Sequence, residues 1–103
     1  MIRHFVALRF KAETSQTAKL ALYEDLARLD ARIDGIVDFQ FRENVSVEDH
    51  VVRGFRDLFW FDFRDVAVRD AYLVDKDHQA IGARLVAACE GGVDGVFVMD
   101  IEL

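Results

Sequence analysis

The chain has 103 residues, a length typical of one domain, and no run rich in Pro, Gly or Ser divides it, so we expect a single domain over residues 1–103. Nineteen acidic and thirteen basic residues give a net charge of −6, which disfavours binding to nucleic acid or to an anionic membrane. The single cysteine, Cys89, cannot form an intramolecular disulfide, and no apolar run is long enough to cross a bilayer. Since Met1 leads directly into a predicted strand, we expect no targeting segment and a cytoplasmic protein.

The first part of the chain predicts a strand, a helix and a second strand. Residues 2–10 alternate with the period of two that marks a strand. One face of this strand carries Ile2, His4, Val6, Leu8 and Phe10. Thr14 or Ser15 can cap the helix that follows, whose apolar residues recur every three or four positions as far as Ile33. After Gly35 the alternation resumes over residues 36–44.

The middle of the chain predicts a loop and then a central strand. Residues 45–53 are polar and show no coherent period, which is typical of an exposed loop. Residues 54–64 are the most aromatic segment and alternate again. We therefore expect a third strand here, with its phenylalanines on one face and Leu58 and Trp60 on the other.

The last part predicts two helices and a fourth strand. Asp65 can cap a short helix that runs through Val74, and a second helix follows the polar break at residues 75–77. One stripe of the second helix carries His78, Ile81, Leu85 and Ala88. Residues 93–103 alternate and close the predicted sheet.

The order of these elements, β-α-β-β-α-α-β, predicts an α+β fold of the ferredoxin-like type, with helices over one face of a four-stranded antiparallel sheet. The other face still carries an apolar patch, which we expect to comprise Phe5, Ala7, Leu58, Trp60, Val96 and Val98. A monomer does not normally leave such a patch in water. The pattern therefore predicts a homodimer that pairs through the sheet face.

His4 is the first candidate site residue, because it shares the helix-facing side of the first strand. A buried imidazole needs a hydrogen-bond partner. One interpretation is a core histidine bonded to a carbonyl or side-chain oxygen. The other is a polar group that lines a cavity between the sheet and the helices.

Tyr72 and His78 are the second candidate pair, and they lie on either side of the break between the two predicted helices. A neutral histidine can remove a proton from an activated carbon, and a tyrosine hydroxyl can stabilise the resulting enolate. We therefore list Tyr72 and His78 as candidate catalytic residues. The alternative is a hydrogen bond that locks the corner between the helices.

Aromatic and aliphatic side chains supply a candidate wall for such a cavity. The predicted pocket residues besides His4 are Phe39, Phe59, Phe61 and Ile81. An aromatic stripe of this kind is more often core, although the same side chains can wall an apolar ligand cavity.

No motif predicts a metal or a cofactor. The spacing of Asp75, Asp77 and His78 is nonspecific, and an acidic helix N-terminus explains the two carboxylates without a metal. The glycine-rich residues 91–95 precede a strand and lack nucleotide-binding spacing, so they predict a turn. We expect neither a metal site nor a cofactor.

Three segments resemble the stress-responsive A/B barrel (Dabb) family. They are residues 2–11, running Ile-Arg-His-Phe-Val-Ala-Leu-Arg-Phe-Lys; residues 35–46, with Gly-Ile-Val-Asp-Phe and Arg-Glu-Asn-Val-Ser; and residues 71–80, Ala-Tyr-Leu-Val-Asp-Lys-Asp-His-Gln-Ala. The resemblance covers nearly the whole chain. It implies a ferredoxin-like fold in which two subunits pack their sheets into a dimeric α+β barrel.

The resemblance also implies candidate roles for individual residues. In a plant polyketide cyclase of this family, the counterparts of Tyr72 and His78 act in an aldol cyclisation and that of His4 lines the pocket. The chain departs from the family where a His-Pro pair is common, because Asp75 and Lys76 stand there.

Three functions are consistent with these observations. The first is a Dabb-type homodimer of undetermined role, with a small cavity between the sheet and the helices that can bind an apolar or aromatic metabolite. The second is a cofactor-independent cyclase or isomerase that uses His78 as base and Tyr72 as hydrogen-bond donor. The third is a purely structural, stress-protective dimer without a ligand-sized cavity.

Overall fold

Four antiparallel strands and four helices make up the chain, and the structure, a computed structural model, describes all residues from Met1 to Leu103. In chain order the elements are β1 (Ile2–Leu8), α1 (Gln16–Ala27), β2 (Ile36–Glu43), α2 (Asp49–Val52), β3 (Asp57–Phe63), α3 (Val66–Val74), α4 (Lys76–Ala88) and β4 (Val96–Glu102). Short 3₁₀ turns occupy Arg28–Ala31 and Gly92–Gly95.

The four strands form one sheet in the order β2-β3-β1-β4, with antiparallel pairing throughout. The predicted ferredoxin-like arrangement is confirmed. One local prediction is wrong, because the segment predicted as a loop at 45–53 contains the single helical turn α2. A turn of four residues is too short to leave a periodic pattern in the sequence.

Side chains that cap the N-termini of α1 and α3 explain where these two helices begin. The hydroxyl oxygen of Ser15 accepts a hydrogen bond from the N–H of Ala18 at 3.1 Å, so Ser15 caps α1. Asp65 caps α3 through the N–H of Val68 at 3.0 Å. The first helix is shorter than the sequence predicted. The α-helix α1 ends at Ala27, and a 3₁₀ turn over Arg28–Ala31 follows it.

The hydrophobic core lies between the inner face of the sheet and the helices. The β1 residues that alternate inwards pair with the phenylalanines of β3, and these side chains are buried against α1, α3 and α4. Fully buried core residues include Leu8, Leu26, Phe59, Phe61, Phe63 and Tyr72. The period-two pattern of the strands therefore predicted the inner face of β1 and β3 correctly.

The predicted orientation of the fourth strand is wrong. From the sequence we expect Val96 and Val98 on the face away from the helices, but they pair with Leu8 and Val6 on the inner face. Side chains that pair directly across an antiparallel ladder point to the same face. The opposite face receives the alternate residues, Phe97, Met99 and Ile101. Alternation defines two sets of residues, and only the pairing register decides which set points inwards.

We call the uncovered side of the sheet the open face, and it carries Phe5, Ala7, Leu58, Trp60, Phe97, Met99 and Ile101. Phe97 and Met99 expose 56% and 48% of their surface. Asp62 is buried on this face because Arg3 donates two hydrogen bonds to its carboxylate, at 2.7 and 2.9 Å. None of the helices combines the length and the apolar character needed to cross a bilayer.

Candidate functional site

A cavity of about 200 Å³ lies between the sheet and the helices α3 and α4. Three polar side chains from three elements reach it: His4 from β1, Tyr72 from α3 and His78 from α4. Its apolar wall includes Val6, Phe59, Leu85, Val86, Val96 and Val98. The structure therefore brings the three polar residues singled out from the sequence into one mainly apolar cavity.

The break between α3 and α4 places Tyr72 against His78. Asp75 adopts an extended conformation that ends α3, and its carboxylate accepts hydrogen bonds from the N–H groups of Asp77 and His78, both at 3.0 Å. This capping fixes His78 in the first turn of α4. The rings of Tyr72 and His78 consequently lie 3.8 Å apart between centroids, at an interplanar angle of 33°.

His4 is held by a carboxylate from the far end of the chain. Its Nδ1 lies 2.5 Å from Oδ1 of Asp100, and Arg69 donates a hydrogen bond of 2.8 Å to the other oxygen of Asp100. An ionised carboxylate only accepts hydrogen bonds, so the Nδ1–H group of His4 donates to Asp100. This arrangement fixes the orientation of the His4 ring.

The surroundings of Asp100 keep it ionised. Burial raises the pKa of its carboxyl, but the hydrogen bonds from His4 and Arg69 outweigh burial and bring the pKa below the usual value of 3.8. Arg69 also pairs with Asp70 at 2.9 Å, so its guanidinium joins two carboxylates on α3 and β4. Asp100 is therefore held by hydrogen bonds from both His4 and Arg69.

Burial keeps the other two polar groups of the cavity neutral. It raises the pKa of the Tyr72 hydroxyl, with a further contribution from the charge of Asp100. Burial, followed by the nearby His4, lowers the pKa of His78 below its usual value of 6.5. Nδ1 of His78 is buried and makes no hydrogen bond. At neutral pH the cavity thus presents an uncharged imidazole stacked on an uncharged phenol.

The remaining predicted pocket residues do not all reach this cavity. Phe59 lines it. Phe61 is fully buried in the core, 4.7 Å from the ring of Phe39 and 4.9 Å from that of Tyr72. Phe39 and Ile81 line separate shallow depressions of the surface beside α1. Of the predicted aromatic wall, only Phe59 therefore lines the cavity, whereas Phe61 belongs to the core and Phe39 lies at the surface.

The acidic residues around the start of α4 are engaged in other contacts. Arg32 lies 3.1 Å from the carboxylate of Asp75 and 2.9 Å from that of Asp77. No group of three or more His, Cys, Asp or Glu side chains is close enough to hold a metal ion together. Helix capping and ion pairing with Arg32 account for both carboxylates.

A family model described as the stress responsive A/B barrel domain (Dabb) matches residues 2–103. The chain belongs to this family. A dimeric ferredoxin-like protein of unknown function from Jannaschia sp. CCS1 is 30% identical, with a TM-score of 0.88 and coverage of 99% of this chain and 98% of that chain. None of the curated proteins compared with this chain matches it significantly.

Two plant structures share the fold of this Dabb domain at lower identity. A protein from Arabidopsis thaliana is 20% identical, with a TM-score of 0.86 and coverage of 100% and 95% of the two chains. The hydroxynitrile lyase of Passiflora edulis is 17% identical, with a TM-score of 0.82 and coverage of 99% and 92%.

The sequence predictions do not include Asp100 and Arg69, the two residues that hold His4 in place beside the cavity. Asp100 is separated from His4 by 96 positions, and only the register of β4 against β1 brings the two together. The one signal in the sequence is an acidic residue between two apolar residues of β4, Met99 and Ile101. That signal points to the cavity only once Val96 and Val98 are known to face inwards.

Proposed function

We propose that this chain is a Dabb-family homodimer whose cavity binds a small, mainly apolar molecule with one hydrogen-bonding group. The observation that carries this proposal is the apolar cavity of about 200 Å³ with His4, Tyr72 and His78 in its lining. An apolar cavity of about 150 Å³ is large enough for benzene. The volume therefore suits a molecule with a single aromatic ring.

The polar groups favour an uncharged ligand. A neutral imidazole can both donate and accept a hydrogen bond, and His78 lines the cavity. The carboxylate of Asp100 is engaged by Arg69 and His4 and does not line the cavity, whose lining contains no carboxylate, lysine or arginine. A phenol or a small aryl ketone matches this chemistry.

The open face supports the homodimer. Phe97, Met99 and Ile101 are all partly exposed there, next to Phe5 and Trp60. The protein from Jannaschia sp. CCS1, at 30% identity, is dimeric.

A substitution at Gly82 tests the cavity. Gly82 lines it from α4, and a Cβ atom at this position would meet nothing within 4 Å. We expect the wild type to bind 4-fluorophenol, followed by ¹⁹F NMR. Gly82→Leu should weaken this binding at least tenfold, because the new side chain fills the cavity.

The matched control is Ala83→Leu, which adds a leucine to the exposed side of the same helix. It should bind the probe as the wild type does. Equal affinity in the Gly82 and Ala83 variants would place the ligand elsewhere. Absence of binding by any single-ring probe would favour a purely structural dimer.

A second candidate function is cofactor-independent proton transfer, and the stacked Tyr72–His78 pair favours it. The lowered pKa of His78 keeps this ring in the basic form at neutral pH. In this reaction His78 takes a proton from a carbon next to a carbonyl, and Tyr72 donates a hydrogen bond to the enolate oxygen. Cyclisation and isomerisation of enolisable substrates both begin with this step.

Deuterium exchange into acetophenone tests this second function without knowledge of the natural substrate. In D₂O the wild type should accelerate loss of the methyl proton signal, and His78→Ala should abolish the acceleration. His50→Ala is the control, because His50 is exposed on α2. Exchange that survives in His78→Ala but disappears in His4→Asn would assign the base to His4 instead.

A further inference from the structure

A second, larger groove lies at one end of the open face, away from the helices α3 and α4. Its volume is about 620 Å³. The connection between β2 and β3 forms one side, and β1 and β4 form the other. Its apolar lining consists of Ala7, Val51, Val52, Phe55 and Phe97. Asn44, Ser46 and Arg53 supply its polar rim.

Arg53, which lines this groove, and Arg9, which packs on Phe55 beside it, have no carboxylate partner. The guanidinium of Arg9 lies 5.2 Å from the ring centroid of Phe55 and donates only to the carbonyl groups of Arg53 and Asp94, at 3.3 and 3.4 Å. The Nε of Arg9 is buried without an acceptor. The guanidinium of Arg53 makes neither an ion pair nor a hydrogen bond, whereas the neighbouring Arg56 pairs with Asp49. Arg53 therefore brings to the groove a guanidinium without a carboxylate partner, in a chain of net charge −6.

The backbone of the connection is shaped around these arginines. Arg53 adopts the left-handed conformation, with φ 58° and ψ 32°, which is unfavourable for a residue with a side chain. Gly54 follows with φ 81°, and a Cβ atom there would lie 2.7 Å from Cδ of Arg9. The glycine thus allows the connection to close onto Arg9. Strained backbone of this kind is concentrated at ligand and active sites.

Ser46 adds a hydrogen-bond donor to the rim. Its hydroxyl oxygen accepts a hydrogen bond from the N–H of Glu48 at 3.2 Å, so the hydroxyl proton is free to donate. A guanidinium and a hydroxyl proton together match the oxygens of a carboxylate. The aromatic side chains of Phe55 and Phe97 lie beside them as an apolar surface.

We propose that this groove binds a monocarboxylate with an apolar chain or ring, separately from the cavity at His78. The carboxylate pairs with Arg53, and the apolar part packs against Val51 and Phe55. Because Ala7 and Phe97 belong to the open face, the second copy of the proposed dimer borders the groove on that side.

Calorimetry with sodium octanoate on the full chain tests this site. Arg53→Gln should weaken octanoate binding at least tenfold, whereas Arg64→Gln should not change it, since Arg64 lies beside Asp34 and Asp65 on another surface. Arg53→Gly should have the same effect as Arg53→Gln, and it also relieves the left-handed backbone, so loss of folding cannot explain the result.

Neutral 1-octanol separates charge recognition from apolar packing. It should bind at least tenfold more weakly than octanoate, and added salt should reduce the difference. Gly82→Leu, which fills the other cavity, should leave octanoate binding unchanged. Equal binding of octanol and octanoate would overturn the proposal, as would unchanged affinity in Arg53→Gln. Absence of octanoate binding would also overturn it and indicate that the second copy occupies the groove.

Discussion

His78 determines how stability responds to mild acid. Its pKa is lowered from 6.5 in the folded chain, first by burial and then by His4, so the folded state binds its proton less readily than the unfolded state. Stability should therefore be fully present above about pH 6.5 and fall as the pH drops through the lowered folded pKa. His78→Asn should remove this component, measured by urea unfolding between about pH 7.5 and about pH 5.

The control for this prediction is His50→Asn, since His50 is exposed on α2. It should retain the pH dependence of the wild type. The quantity compared is the slope of stability with pH, because His78→Asn also loses the stacking on Tyr72 and should be less stable at every pH. Identical slopes in the wild type and His78→Asn would contradict the assignment of the titrating group.

The candidate residues that the sequence predicted best are those whose position follows from local pattern. The alternation of β1 placed His4 inwards, and the helix break placed Tyr72 near His78. The partner of His4 could not be found in this way, because Asp100 reaches it through a strand pairing across nearly the whole chain. The periodicity of a single segment does not show with which residues of another strand it pairs.

At the scale of elements, two glycines should respond in opposite ways to the same substitution. Gly35 has φ 98°, and a Cβ atom there would lie 2.5 Å from a methyl group of Val68. Gly35→Ala should therefore destabilise the chain by more than about 1 kcal/mol, because both the backbone and the packing resist it. Gly82→Ala should stabilise the chain by about 0.5–1 kcal/mol, since alanine favours a helix and the space is open.

Urea or thermal unfolding of both variants measures this contrast. The pair serves as its own control, because each variant adds one methyl group at a glycine. If Gly35→Ala left the free energy of unfolding unchanged, α3 would be able to move away from the turn before β2. A destabilising Gly82→Ala would mean that the cavity beside α4 is smaller than about 200 Å³.

The sequence predicted the main elements because each carries a strong local signal. Side-chain caps at Ser15, Asp65 and Asp75 lie where helices begin, and period-two patterns mark every strand. It overextended β4, whose first predicted residues form the turn Gly92–Gly95. It also reversed the faces of β4, an edge strand that carries apolar side chains on both faces and on which neither set is fully buried.

At the scale of the whole molecule, both faces of the sheet are apolar, so both need to be covered from water. The helices cover the inner face, and the open face leaves Phe97 and Met99 about half exposed within a single chain. Patches of this kind on soluble proteins mark interaction surfaces. The sequence predicted the existence of this patch correctly, although it assigned the wrong residues of β4 to it.

Met99→Glu tests whether a second copy covers the open face. Met99 pairs with Phe5 at the centre of this face, so a carboxylate there would be buried without a partner in the dimer. We expect the wild type to sediment as a dimer at micromolar concentration and Met99→Glu to raise the dissociation constant by about a hundredfold or more. Val74→Glu is the control, because Val74 is exposed on α3, and it should remain dimeric. A monomeric wild type, or a Met99→Glu variant as dimeric as the control, would show that the open face is not the interface.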